Sequence, residues 1–125
     1  MNIVETQTLR KTYHFGDTEV EALGGVDLTI KEKEFIAVWG PSGSGKSTLC
    51  NLIGLLDQPT SGEVSIRGHS SAGLSDSERS DLRNSSIGFV FQNFNLVPVL
   101  TALENVMLPL QINGVGKNDA KERAE

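Results

Sequence analysis

The stretch Gly40-Pro41-Ser42-Gly43-Ser44-Gly45-Lys46-Ser47-Thr48 constrains this chain more than any other. It fits the P-loop spacing G-x-x-x-x-G-K-[ST], with Gly40, Gly45, Lys46 and Ser47 at the fixed places. Glycines at 40, 43 and 45 let the backbone take positive φ and turn its N–H groups toward an anion. The loop opens a helix, whose unpaired amides and dipole add positive potential. Lys46 would set an ammonium over the outer phosphates, and the Ser47 hydroxyl would ligate the Mg²⁺ that accompanies them. The flanks agree. Phe35-Ile36-Ala37-Val38-Trp39 is a continuous apolar run, expected as a strand buried on both faces. Leu49, Leu52, Ile53 and Leu56 recur at the spacing of an amphipathic helix. The plainer alternative is a glycine-rich turn that binds nothing, but such a turn has no need of Lys-Ser where its helix begins.

Composition narrows the setting. A length of 125 residues allows one domain with a core, and fractions of 38% apolar and 22% charged are those of a globular protein. No apolar run approaches a membrane span and the N-terminus lacks a signal-peptide pattern, so a cytoplasmic location is expected. A net charge of −5 argues against a general nucleic-acid surface, so no nucleic-acid partner is expected. It leaves nucleotide binding open, because the field of the loop matters more there than the sum of charges. Cys50 has no second cysteine to pair with and reads as a small buried hydrophobe rather than a reactive thiol.

In chain order, Asn2 to Arg10 reads as a strand, and Thr18 to Leu23 as another that ends at a Gly24-Gly25 turn. Val26, Leu28 and Ile30 alternate with polar residues, a half-exposed strand leading into the buried one. Short connections imply antiparallel pairing in this region. Tyr13 falls between strands, flanked by His14 and Phe15. From the residues alone it reads first as a core aromatic and second as a ring able to stack on a nucleobase, while His14 reads as a surface residue. Asp57 to Gly62 is a turn cluster, and Glu63 to Arg67 a short strand ended by Gly68. Ser75 with Glu78, and Thr101 with Glu104, form two capping boxes, each opening a helix. Ile87 to Phe91 reads as a second buried strand, stopping at Gln92-Asn93. Phe94 to Leu100 reads as a loop held by its apolar side chains, with Pro109 kinking or ending the helix that follows. A charged helix begins at Lys117.

With Tyr13, the glycine loop and Gln92 placed, the whole chain resembles the ATP-binding subunits of ABC transporters. It is most similar to the lipoprotein-release and macrolide-export type. The residues that carry this are Leu55-Leu56-Asp57-Gln58-Pro59-Thr60-Ser61-Gly62-Glu63-Val64, Phe91-Gln92-Asn93-Phe94-Asn95-Leu96-Val97-Pro98 and Thr101-Ala102-Leu103-Glu104-Asn105-Val106. The resemblance implies a partial α/β P-loop NTPase core. Residues 1–34 would be an antiparallel β region, 35–92 a portion of the P-loop core, and 93–125 the Q-loop and the start of a helical subdomain. ATP and Mg²⁺ are the implied cofactors. Ser42, Gly43, Ser44, Gly45, Lys46, Ser47 and Thr48 would cradle the phosphates, and Tyr13 would stack on adenine. Gln92 reads by spacing as a polar residue capping a strand. The resemblance makes it the glutamine that touches Mg²⁺ and the attacking water and senses the membrane subunit. Lys46 and Gln92 would thus act in catalysis, and Ser47 and Gln92 at the metal.

The implied partners are a permease, met through Phe94 to Val106, and a second copy in a head-to-tail dimer. The implied place is the cytoplasmic side of the inner membrane. The family's Leu-Ser-Gly-Gly-Gln segment, its apolar run ending in Asp-Glu and its later histidine do not occur among these residues. The expectation is an N-terminal fragment that binds nucleotide with little or no turnover. Its two apolar runs would carry unpaired strand edges, so self-association is expected too. Rival readings are a non-hydrolysing nucleotide-binding module and another P-loop enzyme such as a small-molecule kinase. A GTPase fits less well, because Lys117-Asn118-Asp119 has neither the order of a guanine-reading motif nor a strand before it.

Overall fold

The computed structural model describes residues 1–125 in two compact units, Met1–Gly88 and Phe89–Glu125. The first unit holds β1 (Asn2–Phe15), β2 (Thr18–Lys31), α1 (Lys46–Ile53), β3 (Ser61–Ile66), β4 (His69–Ser70) and α2 (Asp76–Ser86). The second holds α3 (Ala102–Ile112) and α4 (Lys117–Ala124). This is a partial α/β fold around an antiparallel sheet of order β2-β1-β3-β4.

β1 and β2 form one long hairpin that turns at Gly16-Asp17, where Phe15 pairs with Thr18. The expected turn at Gly24-Gly25 is corrected: both glycines lie inside β2. Leu9 pairs with Val26 and Arg10 with Gly24, so Gly25, at φ +103°, is the extra residue of a bulge. The glycine pair bends and twists the strand without ending it. The same hairpin carries Tyr13 inside β1 rather than in a loop between strands.

Leu9 and Leu23 from the hairpin, Leu49 and Leu52 from α1, Leu55 beyond it, and Val64 and Ile66 from β3 make one apolar core. Helical spacing places Leu49, Leu52 and Ile53 on one face of α1, as the sequence predicts. Leu56 departs from that pattern. The chain leaves the helix at Gly54, and Leu55 takes φ +56°, so Leu55 turns inward and Leu56 outward. Cys50 is exposed, not buried, because its position on α1 points away from the Leu49–Leu52 face.

Neither Phe35–Trp39 nor Ile87–Phe91 forms a strand. A strand needs a neighbouring ladder, and no other segment pairs with either run. Phe35 and Trp39 are 97% and 91% exposed. Ile87 still packs against the core from the end of α2, whereas Val90 is exposed.

Both capping boxes form: Ser75 accepts from the Glu78 N–H and Thr101 from that of Glu104, each glutamate answering to the cap residue's own N–H. In the second unit, α3 continues past Pro109 to Ile112. The loop before α3 is not held by its apolar side chains, since Phe94, Leu96 and Val99 are exposed. The Asn105 side chain holds it instead. Its carbonyl accepts from the Val97 N–H at 2.8 Å, and its amide donates to the carbonyls of Val97, Leu100 and Thr101. No helix is long and apolar enough to cross a membrane.

Candidate phosphate-binding site

The glycine loop lies against β2, and that contact dictates its shape. Gly45 caps α1 at φ +92°, and a Cβ there would sit 2.6 Å from the Ala22 carbonyl oxygen. Only glycine lets the loop lie this close to the strand. At Gly43, with φ +81°, a Cβ would meet nothing within 4 Å.

α1 begins with no side-chain cap and no acidic residue in its first turn. The first helical bond runs from the Leu49 N–H to the Gly45 carbonyl, so the amides of Lys46, Ser47 and Thr48 precede it. Those donors and the helix dipole make a positive end on which an anion can settle. The Lys46 ammonium donates to the Gly40 carbonyl at 2.7 Å, the Pro41 carbonyl at 2.8 Å and the Ser44 hydroxyl at 3.3 Å. Its charge is therefore held over the loop.

Ser42, Gly43, Gly45, Lys46, Ser47 and Thr48 line one cleft of about 500 Å³, whose other wall is Val20, Glu21 and Ala22 of β2. Ser44 joins them through Lys46. These residues suit a phosphate chain: helix-start amides outside the helical ladder, an ammonium, small side chains and, at Gly45, a glycine where a Cβ would intrude. Ser47 is exposed in that cleft and presents the hydroxyl a phosphate-bound Mg²⁺ would need. Glu21 is a wall residue that the sequence reading missed, since nothing local marks a strand residue as facing a loop that follows it at such distance. It lies 3.9 Å from Arg10, which offsets part of its charge.

Tyr13 stands apart from the loop residues but close to their wall. It pairs with Val20 across the hairpin, so the two side chains share a sheet face. Its hydroxyl donates to Asp57 Oδ2 at 3.3 Å, and the Lys11 ammonium sits 5.1 Å from its ring centroid. Phe15 is the neighbouring ring, centroids 6.3 Å apart. Asp57 experiences opposing influences. Burial pushes its carboxyl up, but the Lys11 hydrogen bond, the Gln58 N–H, the Lys11 charge and the Tyr13 hydroxyl together hold it below the usual carboxylate value. Gln92 belongs to the second unit, exposed in the turn after Phe91.

Comparison with known proteins gives a consistent set of likenesses. Residues 23–125 match the family model described as ABC transporter. The lipoprotein-releasing system ATP-binding protein LolD of Legionella pneumophila is 48% identical over 122 residues, covering 98% of this chain and 54% of that protein. The macrolide export ATP-binding/permease protein MacB of Syntrophobacter fumaroxidans is 48% identical over 126 residues, 99% of this chain and 18% of that longer protein. Among solved structures, the ATP-binding cassette MJ0796, whose sequence relative is from Methanocaldococcus jannaschii, was determined as a dimer bound to ADP and Pi. It superposes with TM-score 0.91 at 49% identity, covering 98% of this chain and 54% of that one. The chain thus spans about half the length of the ATP-binding relatives it matches.

Proposed function

The chain belongs to the ABC transporter family, as an ATP-binding subunit of the LolD and MacB type, and from that premise we propose that it grips ATP-Mg²⁺ through residues 42–48. The observation that carries the proposal is the start of α1. Three amides ahead of the first helical bond, Lys46 above them and Gly45 pressed on β2 form a cradle fitted to phosphate oxygens. Tyr13 would stack on the adenine, and the Ser47 hydroxyl would hold the Mg²⁺ carried by the phosphates. Lys46 would offset charge on the transferred phosphoryl group, and Gln92 keeps only the role that the family resemblance implies for it, toward the metal and the attacking water.

For the whole protein we propose ATP hydrolysis coupled to export or release of a substrate through a membrane permease. The cassette would act on the cytoplasmic face of the inner membrane, paired head to tail with a second cassette. Phe94 to Val106 would meet the permease. The dimeric state of the M. jannaschii cassette and the names of the LolD and MacB relatives support this reading. Residues 1–125 hold the cradle and Gln92 but no Leu-Ser-Gly-Gly-Gln and no apolar run ending in Asp-Glu. Turnover by this chain alone is expected at background. Phosphate release by wild type well above that of Lys46→Ala would contradict that. Competition of ATP against GTP, with Tyr13→Ala beside wild type, separates base stacking from guanine readout and so from the rival P-loop enzymes.

A further inference from the structure

We propose that Asp57, together with Lys11, is a positioning pair that fixes the Tyr13 ring for a nucleobase. The turn after α1 would then tune affinity for the base while the cradle sets affinity for the phosphates. This rests on the reading of Tyr13 as the base-stacking residue and adds what holds that ring in place.

The geometry is specific. Lys11 and Tyr13 are two apart on β1 and so lie on one face of the strand. Asp57 lies in the turn beyond α1 and meets both. Its Oδ1 accepts from the Lys11 ammonium at 3.0 Å and from the Gln58 N–H at 2.7 Å, and its Oδ2 accepts from the Tyr13 hydroxyl at 3.3 Å. The same ammonium donates to the Gln58 carbonyl at 2.7 Å while sitting toward one face of the Tyr13 ring. Next to it, the Thr60 hydroxyl accepts from the Thr12 N–H at 2.9 Å, so the turn is sewn to β1 on either side of the ring. Tyr13 is thereby held at its far end by a carboxylate and covered on one face by a cation, which leaves a base at most the other face. Its cross-strand partner Val20 lines the cleft that holds the phosphate loop. A ring ordered before binding loses less freedom when a base settles on it, so the pair contributes to base affinity by preorganisation.

The test uses the full 125-residue chain with two probes, ATP and inorganic tripolyphosphate, each with Mg²⁺, measured by calorimetry. Asp57→Ala should weaken ATP binding about three- to tenfold, the range expected when one side chain must be ordered on binding. Tripolyphosphate, which has no base, should change by less than about twofold. Asp57→Asn, whose amide oxygen can still accept from the Tyr13 hydroxyl, should recover part of the loss. In a Tyr13→Ala background, Asp57→Ala should add nothing for ATP. Tyr13 is the chain's one tyrosine, so isotope-labelled tyrosine gives a single ring signal, which should show freer ring motion in Asp57→Ala. Should Asp57→Ala fail to fold, Tyr13→Phe keeps the ring, removes the hydroxyl, and should show the same split between probes.

Equal losses for both probes would make Asp57 a support of the fold alone and overturn the proposal. Unchanged ATP binding in Asp57→Ala, with Tyr13→Ala still weakened, would overturn the positioning pair and leave base stacking intact. Unchanged ATP binding in Tyr13→Ala would end the stacking reading itself, and the proposal with it.

Discussion

The Lys46 ammonium directs its three hydrogens at the Gly40 and Pro41 carbonyls and the Ser44 hydroxyl. A bound phosphate would exchange neutral acceptors for charged oxygens, and hydrogen bonds to charged groups contribute roughly 1.5–3 kcal/mol each. Lys46→Ala is therefore expected to weaken ATP binding about ten- to a hundredfold in titration calorimetry. Asp57 carries a second prediction at this scale. Its carboxyl lies below the ordinary value of about 3.9, so its ionised form is favoured by folding. The stabilisation is complete above that ordinary value and is lost as pH falls through the depressed one. Asp57→Asn should flatten the acid limb of the stability–pH curve in thermal melts and leave its slope near neutral pH unchanged. Lys46 was legible because the motif fixes it within a few residues of its partners. Asp57 was not, because Lys11 lies 46 residues away and only the folded sheet joins them. Cys50 was misread because a residue type prone to burial says less than its angle on the helix.

The junction of β2, glycine loop and α1 distinguishes two glycines that the motif treats alike. Both take positive φ, yet a Cβ on Gly45 meets the Ala22 carbonyl at 2.6 Å and a Cβ on Gly43 meets nothing within 4 Å. Gly43→Ala should cost only the left-handed strain, roughly 1–2 kcal/mol. Gly45→Ala should cost that and about 1–3 kcal/mol more for the clash with backbone. Urea unfolding of the two variants side by side checks the order. In the second unit, Asn105→Ala removes the side chain that binds Val97, Leu100 and Thr101. Amide exchange should speed up across residues 97–101 while the middle of α3 stays protected. Local chemistry made both capping boxes legible, since cap and glutamate lie three residues apart. β2 was cut in two for a related reason: Gly24-Gly25 looks like a turn, and only pairing along the whole of β1 carries the strand through it.

Taken as a chain of 125 residues, the helix after the loop follows from periodicity and the α/β class from the family resemblance, but the two apolar runs do not behave as periodicity alone suggests. Phe35–Trp39 is apolar enough for a buried strand, yet burial and pairing need neighbours that the same run cannot supply. It stays exposed, and Val90 of the other unit is 97% exposed as well. We propose that these surfaces drive self-association of the chain in solution. Sedimentation velocity should show mass rising with concentration. Trp39 is the one tryptophan, so its emission should move to shorter wavelength over the same range. A monodisperse monomer with a cooperative thermal transition would count against this. The claim on which the account rests is that residues 42–48 bind the phosphates of a nucleotide. Calorimetry of ATP and ADP in magnesium buffer with folded wild-type chain tests it most directly. Saturable heat at one nucleotide per chain is expected, with affinity reduced about ten- to a hundredfold by Lys46→Ala; no heat with either nucleotide from folded wild type would contradict phosphate binding by residues 42–48.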